Sequence, residues 1–141
     1  MPRRGRNGNG RVSRRPGIPP SPTGWAMLRG EIRLVDLEPV RGSEANKRRP
    51  AVIVSNDRAN TAAARHGRGV VTVVPVTSSL NRMFAFQALL PAATTGLHQD
   101  SKAQAEQVRS VSVERVGSLL GRVPATLMSA VDDALRVHLA L

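Results

Sequence analysis

Two short runs constrain this chain more than anything else in it: Pro50-Ala-Val-Ile-Val-Ser55 and Val70-Val-Thr-Val-Val-Pro-Val76. Both are rich in β-branched residues and bounded by turn formers, which is the signature of strands. Proline suits the first position of the former run, where its missing N–H costs the ladder least. Only Trp25, Phe84 and Phe86 are aromatic, so the core that these strands build must be aliphatic.

The remaining pattern extends this strand reading. Ile32 and Leu34 alternate with Glu31 and Arg33, and Val35 and Leu37 then shift the apolar parity, as a bulge or a doubly buried strand end would do. This places a first strand at about residues 30–37. Asp57 reads as the N-cap of a short Ala-rich helix to about Arg65, stopped by Gly67 and Gly69. A fourth strand takes Phe84, Phe86, Ala88 and Leu90 on one face and Gln87 on the other. A fifth runs from Ser101 to Val111 and a sixth from Gly117 to Val123. Pro124 suits position N1 of a terminal helix whose stripe is Leu127, Met128, Val131, Leu135 and Leu139, with Asp132 four before Arg136. No internal repeat is present. The expected class is mainly β with appended helices, a small β-barrel with a C-terminal helix.

A length of 141 residues implies one domain with its flanks. Residues 1–26 hold six arginines and no acid, with five of the 12 glycines and five of the 10 prolines, so this stretch has little to bury and is expected to be a disordered basic tail. Removing its arginines from the formal +11 leaves +5 on residues 27–141, the folded domain. The balance still favours polyanionic partners. The tail reads either as a nucleic-acid-binding arm or, more plainly, as a loose extension.

Several chemistries are excluded. Without cysteine there are no disulfides, thiolate zinc sites or cysteine nucleophiles. His66, His98 and His138 are scattered, and the carboxylates form no cluster for two-metal chemistry. His98 with Asp100 reads as two solvated polar side chains of a glycine-containing loop rather than as a catalytic pair. No phosphate-binding glycine loop follows a strand. No apolar run could span a membrane, and the basic N-terminus leads into Gly, Pro and Ser rather than the apolar stretch of a signal peptide, so the cytoplasm is the expected location.

What remains is a set of ordered motifs: Arg29-Gly-Glu-Ile with Val35-Asp-Leu-Glu-Pro39, Arg41-Gly-Ser-Glu44, Lys47-Arg-Arg-Pro-Ala-Val-Ile-Val-Ser-Asn-Asp57, Val73-Val-Pro-Val-Thr77 and Ala105-Glu-Gln-Val-Arg-Ser110. Together they resemble the MazF/PemK family of toxin endoribonucleases, and Leu119-Leu-Gly-Arg-Val with the following helix is similar to that family's C-terminal end. The resemblance covers about residues 28–141. It implies an SH3-like barrel, a homodimer and sequence-selective, metal-independent cleavage of single-stranded mRNA without a cofactor. It also implies a labile antitoxin that covers the RNA groove, with operator DNA reached only through that antitoxin. Carried over residue by residue, the family pattern makes Arg49 and Thr77 catalytic and sets Glu44 near the substrate. Arg41, Ser43, Lys47, Arg48 and Ser78 are the expected RNA-binding residues around them. The stretch Ala45-Asn-Lys-Arg48 departs from the glycine-containing, less basic form in many members.

The residue types suit this chemistry in their own right. RNA carries its own nucleophile, the 2′-hydroxyl, and in-line attack needs charge stabilisation on the phosphate oxygens and a route for two protons. Arginine offers a permanent planar fork for two phosphate oxygens, threonine a short stiff hydroxyl, and Glu44 a carboxylate to take the 2′ proton. Taken singly, Lys47-Arg48-Arg49 is more often a charged strand edge and Thr77 a β-favouring residue. Their joint occurrence in order reverses that reading. Scarce aromatics argue against a broad stacking platform, leaving bases to loop polar groups and arginine planes. Two other functions fit the same pattern: a gyrase-poisoning toxin on a related barrel, and a basic nucleic-acid-binding barrel without catalysis. The first needs neither Arg49-Pro50 nor Thr77.

Overall fold

The structure is a computed structural model that describes residues 26–37 and 48–141. Along the chain lie β1 (Glu31–Asp36), β2 (Arg48–Ile53), α1 (Asp57–His66), β3 (Val70–Thr77), β4 (Gln87–Leu90), α2 (Ala92–Thr95), β5 (Ser101–Gln104), β6 (Arg109–Ser112), β7 (Val116–Arg122) and α3 (Ala125–Leu139). Single 3-10 turns at Ala105–Gln107 and Val113–Arg115 separate β5 from β6 and β6 from β7. All pairings are antiparallel, in the order β4-β5-β3-β2-β1-β7, with β6 also on β3. The fold is thus mainly β with appended helices, as expected.

The uninterrupted apolar runs have a direct cause: β2 and β3 are covered on both faces. Val52, Val74 and Val76 join Ile32, Ala88, Leu90 and Ala103 beneath Met128, Val131 and Ala134 of α3. The alternate residues Ala51, Ile53, Val71 and Val73 join Val35, Val111 and Val113 beneath Ala63 and Ala64 of α1. The parity shift in β1 marks the same division. Ile32 belongs to the α3 layer and Val35 to the α1 layer, and the β1–β7 register slips between Ile32 and Arg33 and again before Val35. Met27 is buried in the α1 layer, so the folded part begins no later than the expected boundary at residue 27.

Several local expectations change. The α1 cap is Asn56, whose side chain accepts from the Ala59 N–H at 2.8 Å, while Asp57 Oδ1 accepts from the Arg29 N–H at 2.7 Å. A tertiary donor therefore takes the carboxylate that local sequence assigns to the helix. Asp132 likewise binds Arg29 Nη2 at 2.5 Å, and Arg136 pairs with Asp133 at 3.0 Å instead. The fourth strand is shorter than its hydrophobic pattern, for Phe84 and Phe86 precede it and stack on each other outside the core. The expected fifth strand is two strands, because the turn at Ala105–Gln107 lets the chain leave the end of β3 and rejoin its beginning. In α3 the core positions are Met128, Val131 and Ala134, with Leu127 and Leu135 at the margin and Leu139 exposed. Glu31, at the start of the β1 alternation, is buried and accepts from Arg33 Nε at 2.8 Å, with Arg122 Nη1 at 3.5 Å. A carboxylate held inside requires such partners.

Candidate functional site

The β2–β3 pairing ends at Ala51 and Pro75, and two residues beyond it Arg49 and Thr77 lie at the same end of the sheet. Both line one groove of about 350 Å³, together with Pro50, Val76, Ser78, Leu97, His98, Gln99, Ser101 and Leu120. Arg49 is exposed, which suits a cation that must meet a solvated anion. Thr77 is half-buried at the end of β3, and its hydroxyl accepts from the Ser79 N–H at 3.2 Å. Lys102 stands opposite Thr77 on β5, buried, with Nζ donating to the Arg82 carbonyl.

Gly96–Gln99 and Ser101 also line the groove, and local hydrogen bonds hold this segment in place. Asp100 Oδ1 accepts from the Ala92 N–H at 2.8 Å, tying the end of this loop to the start of α2. Thr95 Oγ1 donates to the Pro91 carbonyl at 2.8 Å and accepts from the Leu97 N–H at 3.3 Å. Gly96 ends α2 at φ +85°, a left-handed conformation that glycine adopts without strain. Gly121 lets β7 approach: a Cβ there would lie 2.2 Å from the Thr95 carbonyl oxygen.

The structure brings some of the expected residues into one groove and not others. Arg49, Thr77 and Ser78 are brought together. Arg48 is not with them, since successive strand residues point to opposite faces. It lines a separate hollow with Asp36, Glu114 and Arg115. Arg41, Ser43, Glu44 and Lys47 lie outside the described residues, as does residues 1–25 of the basic tail. His98 lines the groove, whereas Asp100 accepts from the Ala92 N–H of α2. The loop at Gly96–Gln99 carried no sequence signal of a site beyond His98 itself. Among the described residues no three His, Cys, Asp or Glu side chains converge as a metal site. No helix among them is long and apolar enough to cross a membrane.

Comparison with known proteins decides the family. Residues 28–139 match the profile of the "PemK-like, MazF-like toxin of type II toxin-antitoxin system". The chain belongs to the PemK/MazF toxin family. It is 60% identical over 115 residues to endoribonuclease MazF9 of Mycobacterium tuberculosis, a match spanning 82% of this chain and 98% of that protein. Endoribonuclease EndoA of Bacillus subtilis is 28% identical over 116 residues, 82% of this chain and 96% of its own. Among solved structures, MazE-MazF from Deinococcus radiodurans superposes with a TM-score of 0.66 at 26% identity, covering 82% of this chain and 96% of that one. A mycobacterial endoribonuclease in complex with its cognate antitoxin gives 0.61 at 26% identity, covering 82% and 97%. The PemK/MazF fold thus accounts for nearly all of the described residues.

Proposed function

We propose that the Arg49–Thr77 groove is the RNA-cleaving site of this toxin endoribonuclease. The observation that carries the reading is the meeting of Arg49 and Thr77, 28 positions apart in sequence, in one groove at the matching ends of β2 and β3. In the reaction, the 2′-oxygen of a single-stranded RNA forms a bond to the adjacent phosphorus as the bond from phosphorus to the 5′-oxygen breaks. Glu44 takes the 2′ proton. The Arg49 guanidinium neutralises charge growing on the non-bridging oxygens, and the Thr77 hydroxyl donates to one of them. The leaving 5′-oxygen gains a proton, with Arg49 or water as its source, arginine being a poor acid. The products are a 2′,3′-cyclic phosphate, or the 3′-phosphate formed by its hydrolysis, and a 5′-hydroxyl. No metal takes part.

Arg41, Ser43, Lys47, Arg48 and Ser78 bind the strand and select its sequence. Arg48 lies in its own hollow, so it serves RNA beyond the scissile phosphate. The working unit is a cytoplasmic homodimer that cuts mRNA and arrests growth. Its cognate antitoxin blocks the groove and carries any contact with operator DNA. Support for the partner comes from the solved relatives that contain a cognate antitoxin or MazE. Residues 1–26 are a basic tail, and residues 27–141 are the toxin domain.

Purified protein incubated with single-stranded RNA in EDTA tests the reading. Cleavage with 5′-hydroxyl ends is the expected result. Intact RNA together with inhibited DNA gyrase would establish the gyrase-poisoning alternative instead.

A further inference from the structure

Scarce aromatics argue against a broad stacking platform, but the loop between β3 and β4 holds a small one. Arg82, Phe84 and Phe86 recur at every second residue and form a column. The Phe84 and Phe86 rings are parallel within 5°, with centroids 5.0 Å apart, and the Arg82 guanidinium lies 5.5 Å from the Phe84 centroid. Two of the three aromatic side chains in the protein are thus set outside the core, and Phe84 is 42% exposed.

This column is braced. The Phe84 N–H donates to Gln87 Oε1 at 3.2 Å, the Gln87 amide donates to Glu106 Oε2 at 2.8 Å, and the Ala105 N–H donates to the Phe86 carbonyl at 3.2 Å. At the other end Lys102 Nζ holds the Arg82 carbonyl. Lys102 is the cross-strand neighbour of Thr77, and Ser78, the first residue of the loop, lines the groove. The column is therefore tied through Lys102 to the strand end that carries Thr77. Lys102 is only 7% exposed, so this tie is a buried cation rather than a surface contact.

A planar stack ending in a guanidinium matches a particular ligand: another flat π system carrying negative charge beside it. Nucleobases stack on aromatic rings and on arginine planes, and their phosphates complement the cation. A purely apolar protein partner would use the neighbouring exposed Leu80 and Met83 but would have no need of Arg82. We propose that the Arg82–Phe84–Phe86 column is a stacking subsite for one base flanking the scissile phosphate, with Lys102 as its positioning residue. This rests on the reading of the groove as the RNA-cleaving site.

The test uses the full chain and a short RNA with one cut site, in which each flanking nucleotide is replaced in turn by an abasic one. For the parent, one position should raise KM roughly 5- to 100-fold when abasic, the range of a lost stacked base. Phe84→Leu and Arg82→Gln should show that loss with intact RNA, no further loss with the abasic RNA, and kcat within about threefold. Lys102→Met should weaken the same positional sensitivity although Arg82 and Phe84 remain. Abasic penalties that are the same in parent and variants overturn the subsite. So does a variant whose RNA kinetics are unchanged while its self-association or antitoxin binding is lost, since the patch is then a protein interface. A parent that leaves RNA intact refutes the reading of the groove, whereas a parent that cuts without any position coupled to Arg82 or Phe84 refutes the subsite alone.

Discussion

β3 carries two threonines, and its two ends treat them differently. Thr72 lies in the half that pairs with β6, where its N–H donates to Ser55 Oγ at 3.0 Å and its carbonyl accepts from the Val54 and Ser55 N–H groups. Ser55 in turn bonds the fully buried Asn60 of α1, so the backbone of Thr72 belongs to a closed network that docks the helix. Thr77 ends the other half, where the strand has passed from β6 to β5 and opens on the groove. Residue type and backbone are alike at both. The difference lies in the partners of the strand: closed by side chains at Thr72, left open to a ligand at Thr77.

The largest expected effect is at Arg49, the cation that lines the groove with Thr77. Arg49→Ala should lower turnover roughly 100- to 1000-fold, the loss seen when a donor aimed at transition-state charge is removed. Its circular dichroism and melting temperature should match the parent, because Arg49 is exposed. A gel assay on a cleavable RNA reads the loss, and a parental rate would disconnect the groove from the chemistry.

The two threonines supply a matched pair. Thr77→Val keeps the β-branched shape and deletes one hydroxyl, and the loss of a hydrogen bond to a charged group corresponds to roughly 10- to 150-fold in rate. Thr72→Val makes the same change where the hydroxyl meets only Ser110 Oγ at 3.5 Å, and cleavage should stay within about twofold. Equal effects at the two positions would end the distinction.

A third substitution reverses the roles. Val73→Ala empties part of the α1 layer, where Val73 is fully buried, and should cost about 2 to 3 kcal/mol in urea unfolding. Turnover per folded molecule should be unchanged. A collapse of turnover with little loss of stability would show that the structural half of β3 is not merely structural.

The smallest effects concern what stands outside both halves. EDTA should alter the cleavage rate by less than about twofold, since the proposed mechanism calls on no metal. Removal of residues 1–25 should leave the melting temperature within about 2 °C while flattening the salt dependence of RNA binding, as the loss of six arginine charges would. Met27→Ala is the contrast: its side chain is 3% exposed and its truncation should cost about 2 to 4 kcal/mol.

Legibility follows locality in these examples. β-branched density revealed β2 and β3, and the parity change from Ile32 to Val35 revealed a strand that serves two layers. The α1 cap and the partner of Asp132 are not legible locally, because Arg29, remote in sequence, takes both Asp57 and Asp132. Phe84 and Phe86 fit an apolar alternation that reads as a strand, since period alone does not distinguish a core face from a surface stack.

The chain's own sequence determined the fold class, the family and the identity of Arg49 and Thr77 as a pair, because strand propensity, apolar periodicity and ordered motifs are all carried by neighbouring residues. Only the tertiary structure decided that Arg48 and Arg49 part company, that residues 96–101 wall the groove, and that a buried Lys102 joins Thr77 to an exposed aromatic column. Each of these depends on which strand lies beside which, and on which face an alternate residue meets. Contacts between residues far apart in sequence set both.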